Sequence, residues 1–185
     1  MDHYLDIRLR PDPEFPPHQL MDAMFAKLHR TLAEQQRSDI GVSFPGMRAV
    51  KLGSTLRLHG RADSLNTLCD LPWLGGMREM VERLPTTPVP SEAQHRRVIR
   101  IQAKSSPERL RRRLMRRKQL TESEALARIP NSASERLNLP FLELTSRSTS
   151  QKFRLFLRNG PTQANPLPGS FNAYGLSQTA TVPWF

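Results

Sequence analysis

Two groups of side chains in this 185-residue sequence could do chemistry or hold a charged partner: five histidines and a block of cations between Arg96 and Lys118. Histidine titrates near neutrality, which suits it to general-base work. The five are His3, His18, His29, His59 and His95. The cation block holds eleven basic residues and one acid, Glu108, so it carries +10 of the chain's net +11. Like charge gathered this way repels itself unless a polyanion meets it. Within the block, Arg109, Arg112, Arg113, Arg116 and Arg117 recur at helical spacing and fill one face about 140° wide. Arg111 points off that face, and Leu110 and Leu114 lie beside it, placed to anchor a helix. Solvated charged faces usually mix signs one turn apart, whereas this face contains no acid. Arginine suits bidentate contacts to phosphate and to guanine edges. The block therefore reads as a nucleic-acid-binding helix. A helix fits the major groove of B-form DNA, and an arginine-rich one can also enter an RNA groove widened near a loop or bulge. The residues alone leave both open.

Other chemistries find little support. There is no His-x-x-x-His and no carboxylate cluster on one helix face, so no metal site is expected. No Gly-x-Ser-x-Gly elbow occurs. The single cysteine, Cys69, excludes an internal disulfide and a cysteine-rich zinc site, and fits a reducing, cytoplasmic location. No apolar run of about 18 residues exists to span a membrane. The opening Met1–Asp6 lacks the basic-then-apolar order of a signal peptide. No cofactor is expected.

The elements that must position these residues read as an α+β chain with two domains. Residues 1–94 follow a ferredoxin-like βαββαβ order. His3 to Arg10 alternates as a half-buried strand, with Leu5, Ile7 and Leu9 inward. Leu20, Met21, Met24, Phe25, Leu28 and Leu32 form the apolar stripe of a helix over about 18–36, with His29 at its edge. Short strands are expected over 40–44 and 55–59, a helix over 62–70, and a last strand within 77–89. Three prolines in residues 84–91 mark a linker. Residues 95–185 form a C-terminal α+β domain: a strand over 97–104, the arginine helix with Ser106 as N-cap and Pro107 in its first turn, a helix opened by the capping box Thr121–Glu124, and strands over 141–146 and 151–158. The tail from Gly160 has little periodicity, and Arg48–Ser54 matches no pattern.

Taken together, Met1–Ile7, Val98–Ser105, Pro107–Arg117, Tyr174–Ser177 and Val182–Phe185 resemble one family, the CRISPR-associated endoribonucleases of the type I-F (Yersinia-subtype) system. The resemblance runs the length of the chain. It implies an enzyme that cuts precursor CRISPR RNA at each repeat hairpin without a metal and stays bound to its product. The implied partners are the repeat hairpin and the other subunits of the type I-F surveillance complex. The glycine-rich loop common in the broader superfamily is not matched, because Gly160, Gly169 and Gly175 are scattered.

The resemblance also assigns residues. From helix position alone, His29 is a boundary residue; the resemblance makes it the general base that takes the proton of the RNA 2′-hydroxyl. It makes Ser146 the group that orders the ribose and Tyr174 the ring that orients the histidine. Phe153, which alternates with Leu155 and Leu157 as a core residue would, becomes the platform for the stem's closing base pair. Ser148 and Thr149 match positions near the scissile nucleotide. Arg100 and Gln102, on one strand face with Lys104, become readers at the bottom of the stem. His3 and His59 fit strand ends, and His18 and His95 fit surface positions. Two rivals stand beside this reading: a non-catalytic RNA-hairpin-binding subunit of a ribonucleoprotein complex, and a regulator using the same helix on DNA.

Overall fold

In the computed structural model of the chain, the described residues are 1–102, 107–130, 137–147 and 149–185. The first strand, β1 (His3–Leu9), is followed by α1 (Pro17–Glu34), β2 (Gly41–Ser43), β3 (Thr55–Gly60), α2 (Ala62–Asp70), a 3-10 turn (Arg78–Met80) and β4 (Val81–Arg83). Their sheet order is β2-β3-β1-β4, with every neighbouring pair antiparallel. That is the split βαβ arrangement expected from the sequence. The apolar stripe of α1 is buried as the spacing predicts. The opposite face of β1 carries Asp6, which the alternation places outward but which is 5% exposed. Asp6 takes two hydrogen bonds from Arg57 on the next strand, Nε to Oδ1 at 2.6 Å and Nη2 to Oδ2 at 2.9 Å. The rings of Tyr4 and Phe185 cover that guanidinium at 4.5 and 4.2 Å. Burying a charge is tolerable only with such complete pairing.

The proline-rich stretch is no free linker. A two-residue strand, β5 (Thr87–Pro88), pairs with the start of β1, His3 against Pro88 and Tyr4 against Thr87. Three more strands, β6 (Gln94–Arg96), β7 (Val98–Ile101) and, after the helical segment, β8 (Phe141–Thr145), precede the long β9 (Lys152–Asn159). A second antiparallel sheet has the order β7-β9-β8. Its inward residues Val98, Leu142, Leu144, Leu155 and Leu157 join the same hydrophobic core as β1 and α1. Contacts therefore do not thin at residue 94, where the sequence divides the chain. One compact unit comprises Met1–Ile101 with Leu139–Phe185, and the other is Gln102–Asn138. The tail belongs to the first unit. Its last strand, β10 (Val182–Trp184), pairs with β6, and Phe171, Leu176, Ala180 and Val182 are buried. Gly41 admits it: a Cβ there would lie 2.6 Å from Val182 and 2.9 Å from Phe171.

The second unit contains α3 (Pro107–Lys118) and α4 (Glu122–Arg128). Gln119, at φ 51°, turns the chain out of α3. Thr121 and Glu124 then form the expected reciprocal capping box, and Ala125 is buried. Ser106, expected as the N-cap of α3, lies outside the described residues.

One histidine is structural. His59 sits on β3, fully buried, with its Nε2 2.8 Å from Ser43 Oγ. Burial, and then the Arg57 charge, push its pKa from 6.5 down to about 3. Below the unfolded value the unfolded chain binds a proton that the folded chain refuses, so stability rises with pH in this range. This contribution is fully present above pH 6.5 and is lost as pH falls toward about 3. Melting temperatures measured across that window should fall with acidification, and His59→Gln should flatten the dependence. Equal slopes for both proteins would contradict this assignment.

Candidate active site

A helix places residues three, four and seven apart on one side. Asp22, Ala26 and His29 of α1 therefore share a face, and with β8 they wall a cavity of about 730 Å³ in the first unit. His29 lies one turn beyond Phe25, at the edge of the buried stripe, so its ring is half-buried. Ser146, Phe153 and Tyr174 line the same cavity. The structure thus brings together four residues from α1, the β8–β9 turn, β9 and the tail.

The histidine is held by the tail. His29 Nδ1 lies 2.8 Å from the carbonyl oxygen of Ala173. A carbonyl can only accept, so Nδ1 carries the proton in this bond and Nε2 is the lone-pair nitrogen of the neutral ring. The Tyr174 ring stacks on His29, with centroids 3.9 Å apart and planes 10° apart, and lies parallel to Phe25 at 6.4 Å. Tautomer and ring plane are both set. A tight turn fixes the two tail residues. Asn172 Oδ1 accepts the Tyr174 N–H at 2.9 Å, and Gly175 N–H donates to the Asn172 carbonyl at 2.8 Å. Gly175 has φ 67°, and a Cβ there would lie 2.6 Å from Val42. Only glycine permits this approach without strain.

Ser146 begins the turn between β8 and β9. Its N–H donates to the Gln151 carbonyl at 2.9 Å, its carbonyl accepts from Ser150 at 2.8 Å, and its Oγ accepts from Thr149 N–H at 3.3 Å. Thr149 is exposed beside it. Ser148 lies outside the described residues. Phe153 is half-buried, as a residue between core and cavity should be.

Arg100 departs from the exposed strand edge that the alternation suggests. Its guanidinium carbon is 5.9 Å from the Phe153 centroid and 5.8 Å from that of Tyr174, distances at which a cation is attracted to ring faces. Its Nε is buried and has no hydrogen-bond partner among the described residues. Gln102 follows the end of β7 and is exposed; Lys104 lies outside the described residues.

One residue of the cavity wall escaped the sequence reading. Asp22 is half-buried in the cavity wall, where its Oδ1 accepts the Glu143 N–H at 3.0 Å. Burial raises its carboxyl pKa to about 6, against the downward pull of that hydrogen bond. Its place seven residues before His29 was a usable signal. The Ala173 carbonyl left none, since a backbone group has no sequence signature. Among the described residues, no three of His, Cys, Asp and Glu gather to hold a metal ion, and no helix is long and apolar enough to cross a membrane.

In the second unit, Arg109, Arg112, Arg113, Arg116 and Arg117 are all exposed on α3. Arg111 is half-buried and donates from Nη1 to the Ile129 carbonyl at 2.9 Å, so it ties α3 to the end of α4. Leu110 and Leu114 are half-buried too. The one-face arrangement expected from the spacing is present.

Comparison with known proteins places the chain. The family described as CRISPR-associated protein (Cas_Csy4) matches residues 4–185. The chain is 54% identical over 187 residues to the CRISPR-associated endonuclease Cas6/Csy4 of Pseudomonas aeruginosa (strain UCBPP-PA14), with all of both chains covered. It is 48% identical over 185 residues to the protein of the same name from Escherichia coli (strain UTI89 / UPEC), again with full coverage. The chain belongs to the Cas_Csy4 family of CRISPR-associated proteins.

Proposed function

We propose that this protein is an endoribonuclease that processes precursor CRISPR RNA. It binds the stem-loop of the repeat, cleaves at its base without a metal, and stays bound to the product. The observation that carries the reading is the His29–Ala173 hydrogen bond at 2.8 Å, in a cavity that also holds Ser146 and Tyr174. It directs the lone pair of His29 to Nε2, the atom a general base needs. Relatives named endonucleases at 54% and 48% identity support the same conclusion.

RNA supplies its own nucleophile, the 2′-hydroxyl beside the scissile phosphate. His29 Nε2 takes that proton as the oxygen attacks phosphorus, and the 5′-oxygen of the next nucleotide leaves with the bonding pair and is protonated by solvent water. The products are a 2′,3′-cyclic phosphate and a 5′-hydroxyl. Tyr174, stacked on the imidazole, fixes its plane, and Ser146 orders the ribose so that attack runs in line with the leaving oxygen. Family resemblance assigns Ser148 and Thr149 to positions near the scissile nucleotide. Phe153 offers a face for the closing base pair, a contact type worth about 1–3 kcal/mol. Arg100 and Gln102 read bases at the bottom of the stem, where arginine pairs best with guanine and glutamine with adenine. Lys104 and the five exposed arginines of α3 follow the phosphates. Other subunits of a type I-F surveillance complex are the partners of the bound product.

Incubating the protein with labelled repeat hairpin in EDTA tests this. Cleavage at the stem base is expected. Tight binding without cleavage would favour the hairpin-binding subunit, and a preference for duplex DNA would favour the regulator.

A further inference from the structure

His29 and Ser146 reach the cavity from different elements, and each is held by its own surroundings. The tail holds the His29 ring through the Ala173 carbonyl and the face of Tyr174. The β8–β9 turn holds the Ser146 backbone. In-line attack needs more than two well-held groups. It needs the imidazole and the ribose-ordering hydroxyl at a fixed separation. That separation depends on how α1 lies against β8.

β8 is the edge strand of its sheet, whose order is β7-β9-β8. Backbone groups of such a strand alternate between facing the neighbour and facing outward. The Leu157 N–H bonds the Pro140 carbonyl at 2.9 Å, and the Ser146 N–H bonds the Gln151 carbonyl at 2.9 Å. In this register Leu142 and Leu144 turn their backbone groups to β9, and Glu143 turns its N–H outward. Asp22 of α1 accepts that N–H on Oδ1 at 3.0 Å. Burial raises the Asp22 pKa only to about 6, so at neutral pH the acceptor is an ionised carboxylate, which makes the stronger kind of hydrogen bond.

This tie lies at matched distances from His29 and Ser146. Asp22 precedes His29 by two helical turns, about 10.5 Å along α1. Glu143 precedes Ser146 by about 10 Å along the strand. The two elements run in the same direction, because beyond this pair Arg147 of the turn donates to Glu34 of α1 at 3.3 Å. That second bridge is exposed on both sides and holds little. Between the two bridges α1 turns the small Ala23 and Ala26 to the cavity, which leaves room for RNA.

We propose that Asp22 is a positioning residue: through the Glu143 N–H it fixes β8 against α1 and so sets the distance between His29 and Ser146. The inference rests on the reading of those two residues given above. The buried Leu142 and Leu144 keep β8 on the hydrophobic core. Loss of the tie therefore lets the Ser146 end of the strand shift without unfolding the chain.

The test is the single-turnover cleavage rate of saturated repeat-hairpin complex in EDTA. Asp22→Ala should lower it about 10- to 100-fold, the cost of a small misplacement, with hairpin affinity within about twofold of wild type. Asp22→Asn keeps an oxygen that accepts the Glu143 N–H and should recover most of the rate. In a Ser146→Ala background, Asp22→Ala should cost less than about threefold, because there is then no serine to place. A residue that only stabilises the fold would lower the melting temperature and leave the saturated rate alone. An unchanged rate in Asp22→Ala would overturn the proposal. So would an Asn variant as slow as the Ala variant, or equal losses with and without Ser146. Failure of the endonuclease reading is seen separately, as an all-ribose hairpin left uncut by the wild-type protein.

Discussion

His29→Ala is expected to lower the single-turnover cleavage rate of the repeat hairpin by roughly 10²–10⁴-fold, the usual contribution of a positioned general base. Hairpin affinity should be nearly unchanged, because the arginines proposed to follow the phosphates lie on α3 and not on α1. The expectation comes from the way the ring is held. The Ala173 carbonyl fixes the tautomer at 2.8 Å, and Tyr174 fixes the plane at 3.9 Å. Neither contact uses Nε2. A residue serving only to pack α1 against the tail would change the melting temperature and leave the pH–rate profile alone. A general base does the reverse: its removal takes away the pH dependence that proton abstraction by the base gives the rate. Rates measured between pH 5 and 8 on saturated complex separate the two. An unchanged profile in the variant would make His29 a packing residue.

Replacing Arg109, Arg112, Arg113, Arg116 and Arg117 together by glutamine should cost several orders of magnitude in affinity at low salt. Phosphate contacts release counterions, and each flattens the slope of log K against log[salt] by about 0.7–0.9 when lost. Five contacts therefore account for a slope change of about 3.5–4.5. Matched and mismatched stems should weaken alike, since five side chains on one helix face follow a groove wall more readily than five base edges. The cleavage rate of saturated complex should hardly move. Arg111 is the internal control: it is half-buried and bonded to the Ile129 carbonyl at 2.9 Å. Arg111→Gln should loosen α3 on α4 and leave the salt slope near the wild-type value. A salt titration of the two variants decides this, and a slope that falls equally in both would contradict the one-face arrangement.

Local periodicity made the first half of the fold legible. The stripe of α1 and the alternation of β1 are each driven by one buried face, and the sheet order followed from them. The capping box at Thr121 was readable because both its partners lie within four residues. What escaped was long-range pairing. β5 and β10 are two and three residues long, and their partners β1 and β6 lie more than eighty residues away. Such strands owe their existence to the edge they complete and carry no pattern of their own. The division at residue 94 failed to match the compact units for the same reason, since the tail and β7–β9 fill one core with α1. His59 shows a similar gap: its strand was readable, but its full burial depends on what covers the sheet. In the site, the side chains were named through family resemblance. Their juxtaposition with Asp22, with the Ala173 carbonyl and with the Gly175 turn came only from the folded chain.

The central claim is that RNA attacks itself at His29 with no metal taking part. The most direct test is a single-turnover reaction in EDTA with two hairpins differing by one atom, ribose or 2′-deoxyribose just upstream of the cut. The ribose hairpin should be cleaved to a 2′,3′-cyclic phosphate and a 5′-hydroxyl, and the deoxy hairpin should bind equally well and remain intact. Cleavage of the deoxy hairpin in EDTA would mean that water is the nucleophile, and would contradict the account.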